Sequence, residues 1–421
     1  MKGKKKRTPL STEVRILSVC QAVLSFGLGL AFPFFAIYLH RVRGLPMTWV
    51  GGGLSLAVAA TALSQGLGGE LSDRLGRRRV MVSALWGRAI TVLLLAFAIG
   101  RNLPVPVIIG IHLISNFVSH FFEPASRGWI ADYAGVQQRH RAYGLLRMAT
   151  YIGFAVGPAI GGLMADRSYV LLFAASGIIC VFCAIVATVF LRSERAAIKT
   201  SDETSSEDIL YSVDISFMTL CGYSALLSVA MAQFVVPLSL WATKFAGLKD
   251  SQMGYLLSLN GILVVAFQIP AVNLLSGVRL TFAIAGGCVL YAVGYAAVGW
   301  AGGMAGLVIA VVILSGAEIL VPSAVQALAA NMSPESVRGR WIGILGLSRQ
   351  FGSALGPVLG CAAMEYAAAR GLAGHWLGVS GVAALAGLGF FLLGQRLLPD
   401  EEGLIEEGIA SESNPGLRIG T

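Results

Sequence analysis

Roughly twelve apolar runs, each about 20 residues long and set apart by brief polar punctuation, dominate this sequence, and a run of that length matches the hydrocarbon thickness of a bilayer. They fall at 14–38, 48–70, 79–100, 104–132, 142–165, 168–191, 213–243, 251–275, 279–301, 303–331, 341–367 and 374–396. Lipid satisfies no backbone N–H or C=O, and the runs lack the short alternation of a membrane barrel, so each is expected to be a helix. Composition agrees: 56% of the residues are hydrophobic and 13% charged, against about 25% charged in an ordinary soluble domain. That balance argues against a soluble enzyme, and no nucleotide loop, metal-ligand spacing or nucleophile constellation stands out.

The first run follows Lys2, Lys4, Lys5, Lys6 and Arg7. It is too long for a signal-peptide core and lacks a small-residue cleavage site, so it reads as a retained helix. The net charge of +9 is topological rather than a nucleic-acid signal. With the N-terminus inside, about twenty Lys and Arg fall on the cytoplasmic side, Arg74, Arg77, Arg78, Arg79, Arg139, Arg141 and Arg192 among them. Seven fall opposite: Arg41, Arg43, Arg101, Arg167, Lys244, Lys249 and Arg370. The positive-inside rule then places both termini in the cytoplasm. All six cysteines lie inside runs, where thiols act as small apolar packers; Cys180-x-x-Cys183 carries no redox expectation at that depth, and neither a metal nor a cofactor is implied.

The one long polar interruption, 192–212, is rich in Ser, Glu, Asp and Lys and reads as a solvated cytoplasmic linker. It separates an N-terminal six-helix bundle, 1–191, from a C-terminal one, 213–398, with an acidic cytoplasmic tail at 399–421. The halves repeat each other. At a constant offset Arg141, Gly144, Gly153, Gly157 and Pro158 match Arg340, Gly343, Gly352, Gly356 and Pro357, while Ser55 and Gln65 match Ser258 and Gln268. Two repeated bundles normally enclose a site near the bilayer midplane.

Between the second and third runs stands Gly69-Glu70-Leu71-Ser72-Asp73-Arg74-Leu75-Gly76-Arg77-Arg78-Arg79. This resembles the loop signature of the major facilitator superfamily, G-x-L-x-D-R-x-G-R-R/K. With twelve spans, a six-plus-six repeat and a central linker, the resemblance covers almost the whole chain. It implies the major facilitator fold: an all-α membrane protein of twelve transmembrane helices in two pseudo-symmetric bundles. It also implies that Gly69, Asp73, Arg74, Gly76 and Arg77 form a cytoplasmic latch. Arg127 and Asp132, at the cytoplasmic end of the fourth run, are the expected partners of Asp73 and Arg77 respectively. Gly153, Gly157, Pro158, Gly161 and Gly162 are similar to the signature associated with antiporters in that superfamily; close helix packing is the plainer reading. Within the superfamily the chain most resembles the bacterial drug/proton antiporter branch of multidrug exporters.

An ionisable side chain at bilayer depth is costly unless paired or wetted. His112, Asn116, His120, Glu123 and Arg127 recur at helical spacing and, at about 100° per residue, share one narrow stripe of the fourth span. Glu123 is a candidate proton carrier, although Arg127 one turn on can neutralise it. Glu318 lies near the middle of the tenth run, and no Lys or Arg occurs between Arg279 and Arg338. A solitary carboxyl there favours its protonated form, as a proton carrier needs, unless a residue such as Arg88 or Arg147 pairs with it. Further candidates for a substrate cavity are Gln21, Ser25, Tyr223, Gln233, Asn260, Gln268 and Gln326.

The expectation is a monomeric, proton-coupled exporter of small amphipathic or drug-like molecules, working by alternating access in a bacterial inner membrane, with small-molecule substrate, protons and lipid as its partners. An importer of a nutrient, a lipid flippase and a non-transporting sensor are the alternatives.

Overall fold

The computed structural model describes residues 11–133, 136–191, 214–334, 338–370, 374–397 and 402–404. The basic start, the linker at 192–212 and the rest of the acidic tail lie outside the described residues, as do the side chains of Arg139 and Asp132.

Among the described residues there is no strand, and one isolated antiparallel bridge joins Arg279 to Leu404. The helices are α1 (Thr12–Ile37), continued by a π turn at Tyr38–Val42, α2 (Met47–Leu75), α3 (Arg77–Gly100), α4 (Val105–Ser119), α5 (Phe122–Tyr133), α6 (Val136–Ala165) and α7 (Tyr169–Phe190). After the linker come α8 (Ile215–Met231), α9 (Val236–Lys244), α10 (Asp250–Leu274), α11 (Leu280–Trp300), α12 (Met304–Met332), α13 (Arg338–Ala369) and α14 (His375–Gly394). Among the described residues eleven helical segments are long and apolar enough to cross a membrane, α4–α5 and α8–α9 together each supplying one. The expected run at 341–367 folds as the long helix α13, but its many glycines, Arg349 and Glu365 keep it below that measure.

Two expected spans are interrupted, both for the same reason. Pro124 has no N–H to offer the carbonyl of His120, and its ring crowds that carbonyl. The run at 104–132 therefore breaks at His120 and Phe121 into α4 and α5. Pro237 likewise deprives Gln233, so α8 stops and α9 restarts, with Leu238 N–H taking up the Gln233 carbonyl at 3.0 Å.

The chain forms two compact units, one of 1–38, 56–201 and 249–258, the other of 39–55, 202–248 and 259–421. They differ from the expected halves at two short segments, which exchange. The first turns of α2 belong with α13, where Val358 N–H donates to Ser55 Oγ at 3.1 Å. The first turns of α10 belong with α6, where Ala159 N–H donates to Ser258 Oγ at 2.9 Å. Ser55 and Ser258 are repeat-matched, and each accepts from the residue after a repeat-matched proline.

Small residues carry the packing in both units, as expected where lipid removes the hydrophobic drive between helices. In the first, Gly153 and Gly157 of α6 lie against the α1 backbone at Phe26 and Leu30, and Gly177 of α7 sits under Leu93 of α3. In the second, Gly352 and Gly356 of α13 lie against Ala225 and Ala232 at α8, while Gly294 of α11 receives Leu314 of α12. Outward faces carry Leu63, Ile90, Leu94, Ile178, Val189 and Ile309, the apolar surface that lipid covers.

Candidate functional site

The α2–α3 loop is built on Gly76, whose φ of 94° lies in the left-handed region that an L side chain adopts only with strain. Gly69 has no neighbour where a Cβ would stand; the close approach of α2 to the chain at Phe121 and Pro124 is at Gly68, one residue earlier. The expected pairing of Asp73 with Arg127 does not form. Asp73 is exposed and pairs with Arg77 at 2.9 Å, one turn on, while Arg127 pairs with Glu123 at 2.5 Å. The reason is local: both pairs sit at i, i+4, the shortest route to a partner on a helix. Arg77 also donates to Ser72 Oγ at 3.5 Å and lies over Gly128 of α5, where a Cβ would displace its guanidinium. Arg74 pairs with Glu70 at the surface. Arg78 donates to the carbonyls of Leu191 and Thr188 at 2.5 and 2.6 Å, tying the loop to the end of α7.

In the glycine motif of α6, Gly153, Gly157 and Gly161 meet α1 and Gly162 meets Asp250 and Ser251 at the start of α10. Pro158 lies inside the same helix, and the next N–H, that of Ala159, donates to Ser258.

The polar stripe expected on one continuous helix is divided by the break at His120. On α4, Asn116 Nδ2 donates to His112 Nε2 at 3.0 Å, and His120 Nδ1 donates to the Asn116 carbonyl at 2.8 Å. Across the break, Glu123 accepts from Arg127 and from Gln65 Nε2 at 3.0 Å. Glu123 is thus a neutralised pair rather than a solitary acid.

Glu318 on α12 has a different setting. Asn260 Nδ2, from α10, donates to Glu318 Oε2 at 2.8 Å and to Ser315 Oγ at 3.0 Å. Among the described residues no cation pairs with Glu318, and neither Arg88 nor Arg147 does so. Asn260 and Ser315 are buried, and the phenols of Tyr291 and Tyr295 on α11 lie within electrostatic reach of the carboxyl. Gln268, one turn pair along α10, donates to the Ile319 carbonyl at 3.0 Å.

Several softer candidates prove to be packing groups. Gln233 is 2% exposed and donates to the Gly356 carbonyl at 2.8 Å, so it fixes α8 to α13 instead of facing a cavity. Tyr223 lies on Gly389 and beside Phe390 of α14. Ser25 is buried against Gly153, with Gln21 donating to it at 3.3 Å. Gln326 is exposed on α12.

The family model of the Major Facilitator Superfamily matches residues 17–357 and 215–417. This chain belongs to the major facilitator superfamily. Relatives include the MFS-type transporter YqjV of Bacillus subtilis (strain 168), 25% identical over 79% of this chain and 81% of that one. The quinolone resistance protein NorA of Staphylococcus aureus (strain MSSA476) is 26% identical over 59% of this chain and 63% of its own length. Among solved structures, the nucleoside transporter NupG aligns with a TM-score of 0.77 at 15% identity, over 91% of this chain and all of that one. The peptide transporter POT in complex with sulfate also gives 0.77, at 14% identity over 95% and 97%. At those identities the two structures share the fold.

As a major facilitator protein the chain is a multi-pass membrane transporter of a small-molecule substrate rather than an enzyme. Two features of this transporter escape a reading of sequence. Glu365 near the end of α13 accepts from Thr48 N and Oγ1 at 2.9 and 2.6 Å, placing a carboxylate at the N-terminus of α2 where the helix dipole favours it. Glu402, a member of the acidic tail, is buried and pairs with Arg279, while Thr281 also donates to it. Arg279 further donates to the Gly394 carbonyl at 2.7 Å, so the tail gathers the ends of α11 and α14. A charged run gives no hint that one of its members will be desolvated.

Proposed function

We propose that this transporter is a proton-coupled exporter of small amphipathic or drug-like molecules. The observation that carries the reading is the carboxyl of Glu318, set in a membrane helix, met by a neutral amide and by no cation among the described residues. An ionised carboxylate so placed is costly. Taking a proton on one side and giving it up on the other therefore links proton movement to a change of conformation. Glu123 is the lesser candidate, since Arg127 and Gln65 already satisfy it. Similarity to a quinolone resistance protein supports drug-like solutes and the outward direction.

In this reading Asp73, Arg74, Gly76 and Arg77 form a cytoplasmic latch whose strength changes as the protein cycles, with Asp132 as a further member. His112, Asn116, His120, Asn260 and Gln268 supply the polar groups for solute. The protein works as a monomer in a bacterial plasma membrane, with both termini in the cytoplasm. The test is uptake into inside-out proteoliposomes under an imposed pH gradient, screened against dyes, organic cations and sugars. Accumulation of dyes or cations that collapses with the gradient is expected. Accumulation of sugars alone, or transport indifferent to the gradient, overturns the reading.

A further inference from the structure

Inside the first unit, α1, α3, α4 and α7 line a half-open cavity of about 40 Å³, well above the roughly 10–15 Å³ a single water needs. Its wall includes Arg88 of α3, His112, Ser115, Asn116 and Ser119 of α4, and Ser176 of α7. No carboxylate is among the lining residues. Arg88 sits midway along a membrane helix, its Nε is buried without a hydrogen-bond partner, and among the described residues its guanidinium makes no ion pair.

The other polar groups at this wall divide into committed and uncommitted ones. Ser119 and Ser176 are committed to the carbonyls of Asn116 and Gly27 at 3.1 and 2.7 Å. Ser115 is buried, and among the described residues its hydroxyl has no partner. His112 accepts at Nε2 from Asn116, which leaves Nδ1 as the nitrogen bearing the proton, and Phe35 stacks on the ring at 4.0 Å. A guanidinium, a hydroxyl and a neutral imidazole thus line one small space, with one positive charge and no carboxylate among them.

A cation at the depth of a membrane helix without a counter-charge is costly even when partly exposed, as Arg88 is, and hydrogen bonds between a guanidinium and an anion are among the strong ones. We propose that this cavity is an anion site, in which Arg88 holds a compact monovalent anion assisted by Ser115 and His112. The space admits a halide ion or the carboxylate of an organic acid, and the two share the chemistry the site offers. The inference stands apart from the proton-coupled export proposed above, because binding at Arg88 requires neither Glu318 nor transport.

The experiment is a thermal-unfolding titration of the purified full-length chain in detergent micelles, at constant ionic strength, with the sodium salt of a bulky organic sulfonate replaced stepwise by chloride or by acetate. A specific site gives a saturable rise in the unfolding temperature, as a ligand bound only to the folded state must. Arg88→Gln is expected to weaken the apparent affinity at least about tenfold, the loss of one charged hydrogen bond. Ser115→Ala, which leaves the charge and the fold in place, is expected to weaken it less. Saturation by chloride alone assigns a resident inorganic ion; saturation by acetate, competed by chloride, assigns the acid group of a solute. A wild type that responds to neither anion, or an Arg88→Gln variant that responds equally, overturns the proposal and leaves the cavity to water.

Discussion

Replacing Gly157 by Ala should loosen the first unit at one of its close helix contacts. The new Cβ would stand 2.6 Å from the Phe26 carbonyl oxygen and 2.9 Å from the Leu30 nitrogen, both backbone atoms of α1. Comfortable contact needs about 3.5–4.0 Å, so α1 must withdraw by roughly an ångström along the line where α6 crosses it. Overpacking of this kind costs about 1–3 kcal/mol. Gly144→Ala is the control: it lies on the same helix with nothing within 4 Å of its Cβ, and Ala there should gain about 0.8–1.0 kcal/mol of helix propensity. Ala at Gly157 gains the same propensity, so the two variants should differ by the overpacking cost of about 1–3 kcal/mol, on the order of 2–12 °C in unfolding temperature for a unit of this size. All six cysteines are free and buried, so labelling by a thiol-reactive dye during heating reports unfolding directly. Equal unfolding temperatures for the two variants would refute the close-packing account of the motif. The repeat-matched contact offers a second instance, with Gly352→Ala expected to destabilise and Gly346→Ala, which has open space, to be tolerated.

Arg279→Gln strands the buried Glu402 carboxylate and should cost about 3 kcal/mol, the lower end for a half-removed buried pair because Arg279 is itself 44% exposed; the Arg279→Gln/Glu402→Gln double variant should recover much of that loss in the same dye assay. Asp73→Asn breaks the pair with Arg77 and should impair transport while membrane insertion and unfolding temperature stay near wild type, since exposed pairs contribute only about 0–1 kcal/mol; full activity would remove the latch. Asn260→Ala takes away the hydrogen bond that holds the Glu318 carboxylate and should shift the pH profile of transport with little change in unfolding temperature; an unchanged profile would separate Asn260 from coupling.

The helices were legible because run length and backbone hydrogen bonding leave one solution in lipid. The two breaks were legible in principle as well: Pro124 and Pro237 each sit four residues after the carbonyl they orphan, but an apolar run masks them when only hydropathy is followed. The glycine motif showed its spacing and not its target, since which helix fills the groove is a tertiary fact. The predicted Asp73–Arg127 bond failed because nearness in topology is weaker than the i, i+4 geometry that gave each charge a partner on its own side. Glu318 stood out from sequence through the lack of basic residues around it, whereas Asn260 was visible only as one polar residue among many. Arg88 showed as a charge within a span, but its cavity is assembled from four helices and has no local signature. Glu402 illustrates the converse, for one member of an acidic run is desolvated by Thr281 and Arg279 from a distant turn.

The central claim is that Glu318 itself exchanges a proton during transport, and infrared difference spectroscopy on the full-length protein in lipid tests it at the bond concerned. Substrate-minus-apo spectra should contain a negative carbonyl band, from a protonated carboxylic acid lost on substrate binding, that is absent from Glu318→Gln. A band that persists in Glu318→Gln, or a Glu318 that shows only carboxylate absorption in both states, contradicts the account.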